Sequence, residues 1–193
     1  MEGSIGPVAG SSHHSLYYRM PGVNIASPMT SNEYRQVYKH FMEHDDVLYV
    51  SEHRGAYGNE DELPDIVFED SDIVLFPISI TRVEAVKAST ELRKMGIKAS
   101  VLHQVWLKPF VLYETWREAL VKSRCGGLVM DDDYVDGTAR LIAHRLSHET
   151  SRPVDVMGLE DRTAGFSLKT DNLPPTAEKI IKKVLSIQEK MEK

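Results

Sequence analysis

A single cysteine, Cys125, stands among the 193 residues, so no intramolecular disulfide can staple this chain. Such usage fits a reducing compartment. Cys125 precedes Gly126-Gly127 at an expected helix-to-strand turn, where a small apolar filler is the simpler role and no neighbouring base marks a nucleophile. No apolar run approaches the length of a membrane span, and the N-terminus lacks the basic-then-apolar order of a signal peptide. A cytoplasmic protein is therefore expected. Concentrated positive charge is also missing, since 23 Lys and Arg face 29 Asp and Glu for a net charge of −6 spread along the chain. That balance argues against a nucleic-acid surface, which needs a basic face. Neither a Gly-x-x-x-x-Gly-Lys-Thr loop nor a Gly-x-Gly-x-x-Gly fingerprint occurs, so the common phosphate cradles are absent.

What remains is an ordinary globular composition, 41% hydrophobic and 27% charged, large enough for one good core or two small ones. Met1 to Gly10, rich in Gly, Ser and Pro, reads as a loop. Val23 to Ala26 and Val47 to Val50 read as buried strands, and Asn32 to His44 as a helix that Ser31 or Asn32 can cap. Two strands and a helix make half a domain with an open sheet edge, which a second domain or another chain must cover. A Gly-, Pro- and acid-rich stretch, Arg54 to Asp70, follows. The expected division is 1–58, a linker 59–71, and 72–193.

From Asp72 the pattern is regular. Strands are expected at Ile73–Ile80, Ala99–Val105, Leu128–Met130 and Val154–Leu159, and helices at Val83–Met95, Val111–Ser123, Gly137–His148 and Thr176–Met191. Gly96 is a helix stop. Alternation of this kind predicts an α/β fold with a mostly parallel sheet between layers of helices.

Several clusters could carry chemistry. Adjacent His13 and His14 follow Gly10-Ser-Ser, and histidine exchanges protons near neutral pH. A surface pair in a flexible loop is the alternative. Glu52-His53-Arg54 closes a strand, where α/β proteins commonly bind ligands, although an organising role is the simpler one. Asp131-Asp132-Asp133 suggests a divalent metal, but successive strand residues point to opposite faces and should not grip one ion together. His144 and His148 share a helix face without an evident third ligand. Trp106, Phe110, Tyr113 and Trp116 form a dense aromatic patch, expected as packed core or interface rather than a cofactor box.

Gly10-Ser-Ser-His-His-Ser-Leu16, Met20-Pro-Gly-Val-Asn-Ile-Ala-Ser-Pro28, the helix Asn32–His44 and Asp45-Asp-Val-Leu-Tyr-Val-Ser-Glu-His-Arg-Gly-Ala-Tyr57 occur in this order. Leu128-Val-Met-Asp-Asp-Asp-Tyr134 and the stretch Leu173-Pro-Pro to Leu185 follow. The series resembles the beta subunit of the thiamine diphosphate-dependent first component of 2-oxo acid dehydrogenases, and more distantly transketolase and deoxyxylulose-phosphate synthase. The resemblance implies that 1–58 is the C-terminal part of a pyrimidine-binding domain. It implies that 72–193 is a transketolase C-terminal-like three-layer α/β/α sandwich. His13, or else His14, would face the thiazolium carbon of the cofactor. The loop Phe41–Asp46 overlays a monovalent-cation segment of some relatives, although Val47 stands where the family has proline and a plain helix-terminating loop is the better reading. Val105-Trp-Leu-Lys-Pro-Phe110 lacks the arginine of the family's Arg-Thr-Leu-x-Pro-Leu segment, which puts the usual subunit contacts in question.

By the same resemblance, the activating glutamate belongs to a half-domain not in this sequence. Thiamine diphosphate and magnesium would be held mainly by partner chains. Those partners would be an alpha-type subunit and a chain supplying the missing half, with a beta–beta dimer contact. The expected activity is oxidative decarboxylation of a 2-oxo acid with acyl transfer to lipoyl, in a complex and not alone. A noncatalytic assembly module and a transketolase-like transferase subunit are the alternatives.

Overall fold

The computed structural model describes residues 12–165 and 172–191; the loop expected at Met1–Gly10, and Gly10 and Ser11 of the histidine motif, lie outside the described residues. The first half of the chain contains α1 (His14–Tyr18), β1 (Val23–Ala26), α2 (Ser31–Glu43), β2 (Val47–Val50), β3 (Ile73–Pro77) and α3 (Thr81–Lys94). Then come β4 (Ala99–Val101), β5 (Trp106–Lys108), α4 (Glu114–Lys122), β6 (Gly127–Tyr134), α5 (Thr138–Thr150), β7 (Val154–Leu159) and α6 (Ala177–Met191). No described helix is long and apolar enough to cross a membrane.

The larger sheet has the order β4-β3-β6-β7, with every pair parallel. Side chains alternate across it. Val74, Phe76 and Val129 pack with Trp116 and Leu120 of α4 and Ile142 and Leu146 of α5. Ile73, Leu75, Leu128 and Met130 pack with Ala88 and Leu92 of α3 and Ile180 and Val184 of α6. Burial on both faces explains why β3 reads as a continuous apolar run, and the result is the three-layer α/β/α sandwich expected from the sequence. Cys125 packs into the second of these clusters as an apolar filler.

The smaller sheet has the order β2-β1-β5. β1 and β2 pair in parallel through α2. The helix is capped by Thr30 rather than by Ser31 or Asn32. The Thr30 hydroxyl accepts from Glu33 N at 3.3 Å, and the Glu33 carboxylate accepts from Thr30 N at 3.3 Å. This reciprocal capping box was written in the sequence as Thr-x-x-Glu.

The single strand expected over Ala99–Val105 is not continuous. β4 ends at Val101; Leu102 N and Gln104 N still bond to Leu75 O and Pro77 O, and Val105 O then accepts from Ser27 N. The chain thereby passes from one sheet to the other, and β5 pairs antiparallel with β1. It covers the edge of β1 that two strands alone would leave open. Residues of the expected linker are also tied down: Glu62 accepts from Thr30 Oγ1 and Asn32 N, and Ile66 bridges Val101.

Candidate functional site

The end of β6 gathers charge inside the protein. Its ladder to β7 is irregular between Met130 and Tyr134, so the pleat does not enforce strict alternation there. Asp131, Asp132 and Asp133 are all buried. Ligand atoms of Asp131, Asp132 and His14 lie within 4.8 Å of one another, so two of the three aspartates meet and Asp133 is not in the group, in keeping with the expectation that the three do not all grip one ion. Among the described residues this is the one group of metal-type donors. His144 and His148, rings 6.3 Å apart on the exposed side of α5, gain no third partner of that kind.

The five-residue helix α1 brings His14 to the aspartates. His14 is wholly buried, with Nε2 2.9 Å from Asp131 Oδ2 and 3.8 Å from Asp133 Oδ2, and Nδ1 3.1 Å from Ser51 Oγ. Burial by itself would lower the pKa of this ring. The charge and hydrogen bond of Asp131, followed by the charges of Asp132 and Asp133, outweigh burial and raise it to about 9. At neutral pH His14 is an imidazolium, donating through Nε2 to Asp131 and through Nδ1 to Ser51. Asp132 is pushed upward by burial and by the Asp131 charge; Ser79 Oγ donates to its Oδ2 at 2.8 Å and, with His14, pulls the other way.

Neighbouring contacts hold α1 in place. Ser15 N donates to Asp133 Oδ2 at 3.3 Å, and Ser15 Oγ accepts from Thr138 N at 2.9 Å. That approach needs Gly137, because a Cβ there would lie 2.3 Å from Ser15 Oγ. Gly137→Ala is expected to displace α1 and destabilise the fold by about 1–3 kcal/mol, the usual range for overpacking. Urea unfolding at neutral pH checks this, and an unchanged midpoint would mean that Ser15 moves aside freely.

The two candidate histidines thus occupy different environments. His14 is sealed in an ion pair, whereas His13, half-buried just before α1, contributes a carbonyl that accepts from Leu16 N at 3.1 Å. His53 is buried as well. Its Nδ1 accepts from Gly55 N at 3.0 Å, burial lowers its pKa and the charge of Asp132 partly opposes that. Glu52 and Arg54 are exposed. In the Phe41–Asp46 stretch the helix ends at Glu43, His44 N bonds back to His40 O, and Asp46 accepts from Asn24 Nδ2.

A second buried network carried no sequence signal. Arg82, at the start of α3, is wholly buried; its NH1 and NH2 donate to the two Glu33 oxygens at 2.8 and 2.5 Å, and its Nε donates to His103 Nδ1 at 3.2 Å. This fork joins α2 to α3.

A diphosphate requires cationic or amide donors. The cluster around His14 is dominated by the anionic carboxylates of Asp131, Asp132 and Asp133, which would repel a diphosphate, so it does not form a cradle for thiamine diphosphate.

No protein-family model matches the chain. In solved structures, a split-gene transketolase described as an inactive beta4 tetramer superposes with a TM-score of 0.68 at 23% identity, over 90% of this chain and 59% of that one. The fold is transketolase-like. Transketolase from Campylobacter jejuni gives 0.68 at 14% identity over 95% of this chain, and that of Pichia stipitis with sedoheptulose-7-phosphate gives 0.70 at 15% over 98%. Each is covered over 29% of its own length. A 1-deoxy-D-xylulose-5-phosphate synthase of Geobacter sulfurreducens is 28% identical over 115 residues, 52% of this chain and 18% of that protein. A transketolase family protein of Sinorhizobium fredii is 25% identical over 158 residues, 75% of this chain and 46% of its own. The chain spans less than half the length of these curated relatives.

Proposed function

We propose that the chain is one subunit of a split thiamine diphosphate-dependent enzyme of the transketolase-like group. The observation that carries this reading is the division of labour in the His13-His14 pair: His14 locks α1 onto the aspartates of β6, which leaves the adjacent His13 half-buried at the edge of that anchored turn. An imidazole carried beside such an anchored turn can exchange protons with, or orient, a substrate presented by a partner chain. Thiamine diphosphate and magnesium, held mainly by those partners, would supply the carbanion chemistry. The partners are an alpha-type subunit and a chain with the remaining part of the pyrimidine-binding domain, alongside a beta–beta contact in the cytoplasm. The unit boundaries 1–58, 59–71 and 72–193 belong to the same proposal.

A transketolase-type transfer is the reaction favoured by the names of the relatives, among them a split-gene transketolase, described as an inactive beta4 tetramer, and a transketolase family protein. The order of the motifs from Gly10 to Tyr57 favours a second reading, the beta-type subunit of a 2-oxo acid dehydrogenase acylating a lipoyl group. Purification of the tagged chain at native expression, with mass spectrometry of its companions, is the test. The purified assembly is then assayed with a lipoyl-domain acceptor and with an aldose phosphate. Under the proposal it turns over with one acceptor, and His13→Ala lowers kcat by about 100-fold without changing the urea midpoint. Recovery of the chain only with itself, lacking thiamine-dependent turnover, would leave an assembly module.

A further inference from the structure

Each member of the His14, Asp131 and Asp132 group has one polar atom fixed by a supporting hydrogen bond. His14 Nδ1 donates to Ser51 Oγ at 3.1 Å, Asp131 Oδ1 accepts from Asp132 N at 2.8 Å, and Asp132 Oδ2 accepts from Ser79 Oγ at 2.8 Å. Ser12 also stabilises the Asp132 carboxylate. The atoms left over are His14 Nε2, Asp131 Oδ2 and Asp132 Oδ1. The first two lie 2.9 Å apart, and Asp132 Oδ1 is buried without a partner at hydrogen-bonding distance.

Charge is out of balance in the same place. Asp131, Asp132 and Asp133 are 0%, 1% and 3% exposed, and among the described residues His14 is the one cation that forms an ion pair with them. Buried charges are ordinarily paired or coordinate a metal, and the excess negative charge that repels a diphosphate attracts a cation. Tetrahedral zinc, bound by nitrogen and oxygen at about 2.0–2.2 Å, sets its donors about 3.4 Å apart. Donor atoms of the three residues, all within 4.8 Å of one another, can close on such an ion through rotamer-scale shifts. Ser51 supplies what a metal-bound imidazole usually has, a hydrogen-bond partner that orients the ring through its other nitrogen. An imidazole in the set selects the zinc class over magnesium, which prefers oxygen and retains its waters.

We propose that His14 Nε2, Asp131 and Asp132 bind one divalent ion of the zinc class, which clamps α1 onto the end of β6. On binding, the ion takes the place of the Nε2 proton, which is released to solvent, and Nδ1 keeps its proton on Ser51. Three protein ligands leave a fourth position for water. Asp133 stays outside, its Oδ2 accepting from Ser15 N. The inference rests on the geometry of this cluster and its test reads metal rather than turnover, so it stands apart from the proposed enzyme activity.

The chelator-treated full chain is titrated with Zn²⁺, and with Co²⁺, whose visible absorption reports coordination geometry. One equivalent should bind, Co²⁺ should show the strong bands of a four-coordinate site, and Zn²⁺ should raise the urea midpoint where Mg²⁺ does not. Asp132→Asn keeps the size of the side chain and an acceptor for Ser79, so it should fold. It is expected to weaken Zn²⁺ binding by at least about 100-fold, the upper end of what loss of a merely supporting partner costs a metal site. His148→Ala, which breaks up the exposed histidine pair on α5, should leave the affinity unchanged. No binding to the folded chain, binding that survives Asp132→Asn, or binding lost in His148→Ala would each overturn the proposal.

Discussion

Arg82→Leu is expected to lower the stability of the folded chain by about 3–5 kcal/mol, the range for removing one partner from a buried ion pair. Arg82 is wholly buried and its fork occupies both oxygens of Glu33, whose side chain is 14% exposed. Leucine would leave the carboxylate facing a low-dielectric interior, and His103 Nδ1 would lose its donor. Glu33 retains the amides of Met29 and Thr30, so the loss should fall on the contact between α2 and α3 rather than on the cap of α2. Urea midpoints for Arg82→Leu, Glu33→Gln and the double variant form the measurement. The double variant should be clearly less destabilised than the sum of the singles, because either one alone breaks the same pair. A cost below about 1 kcal/mol for Arg82→Leu, well under what such breakage entails, would show that water relaxes into the gap.

Stability should also fall on both sides of neutrality, for two different histidines. His14 has a folded pKa raised to about 9, above the ordinary 6.5, so its stabilisation is fully present below pH 6.5 and is lost as pH rises through about 9. The shift corresponds to roughly 3 kcal/mol. The raised pKa of Asp132 acts in the same direction, because its folded state also binds the proton more tightly. His103 has the opposite sign. Its folded pKa is lowered to about 3, so the folded state is favoured above pH 6.5 and loses roughly 5 kcal/mol as pH falls from 6.5 toward 3. Burial lowers His53 too, which adds to the acid limb. Urea midpoints from pH 4 to pH 10 should trace this peak, with His103→Phe flattening the acid side. A flat profile between pH 7 and pH 9.5 would mean that His14 is not held as an imidazolium.

Much of the architecture was legible before any coordinates. β1, β2 and β7 lie where period and β-branched content predicted them, since short apolar runs bounded by Gly, Pro and Asp have few other solutions. Gly96, at φ 82°, ends α3 as its position after Lys94-Met95 implied. The departure of β5 from the expected Ala99–Val105 strand was not legible, because Trp106 and Leu107 suit either sheet and only the open edge of β1 selects one. The five-residue α1 is too short to leave a periodic signal.

The candidate site divides in the same way. Histidine as a proton-exchanging residue, and a row of aspartates ending an apolar strand, are properties of residue type and local order, so the sequence alone determined that His13, His14 and Asp131–Asp133 were candidates. That His14 would be the buried member, paired with Asp131 across 117 positions, was decided by the tertiary structure. So was the fork of Arg82 on Glu33, across 49 positions. Local propensities reach only a few residues along the chain. Whether a charge is buried, and which opposite charge compensates it, depends on surfaces that meet only when both sheets have formed.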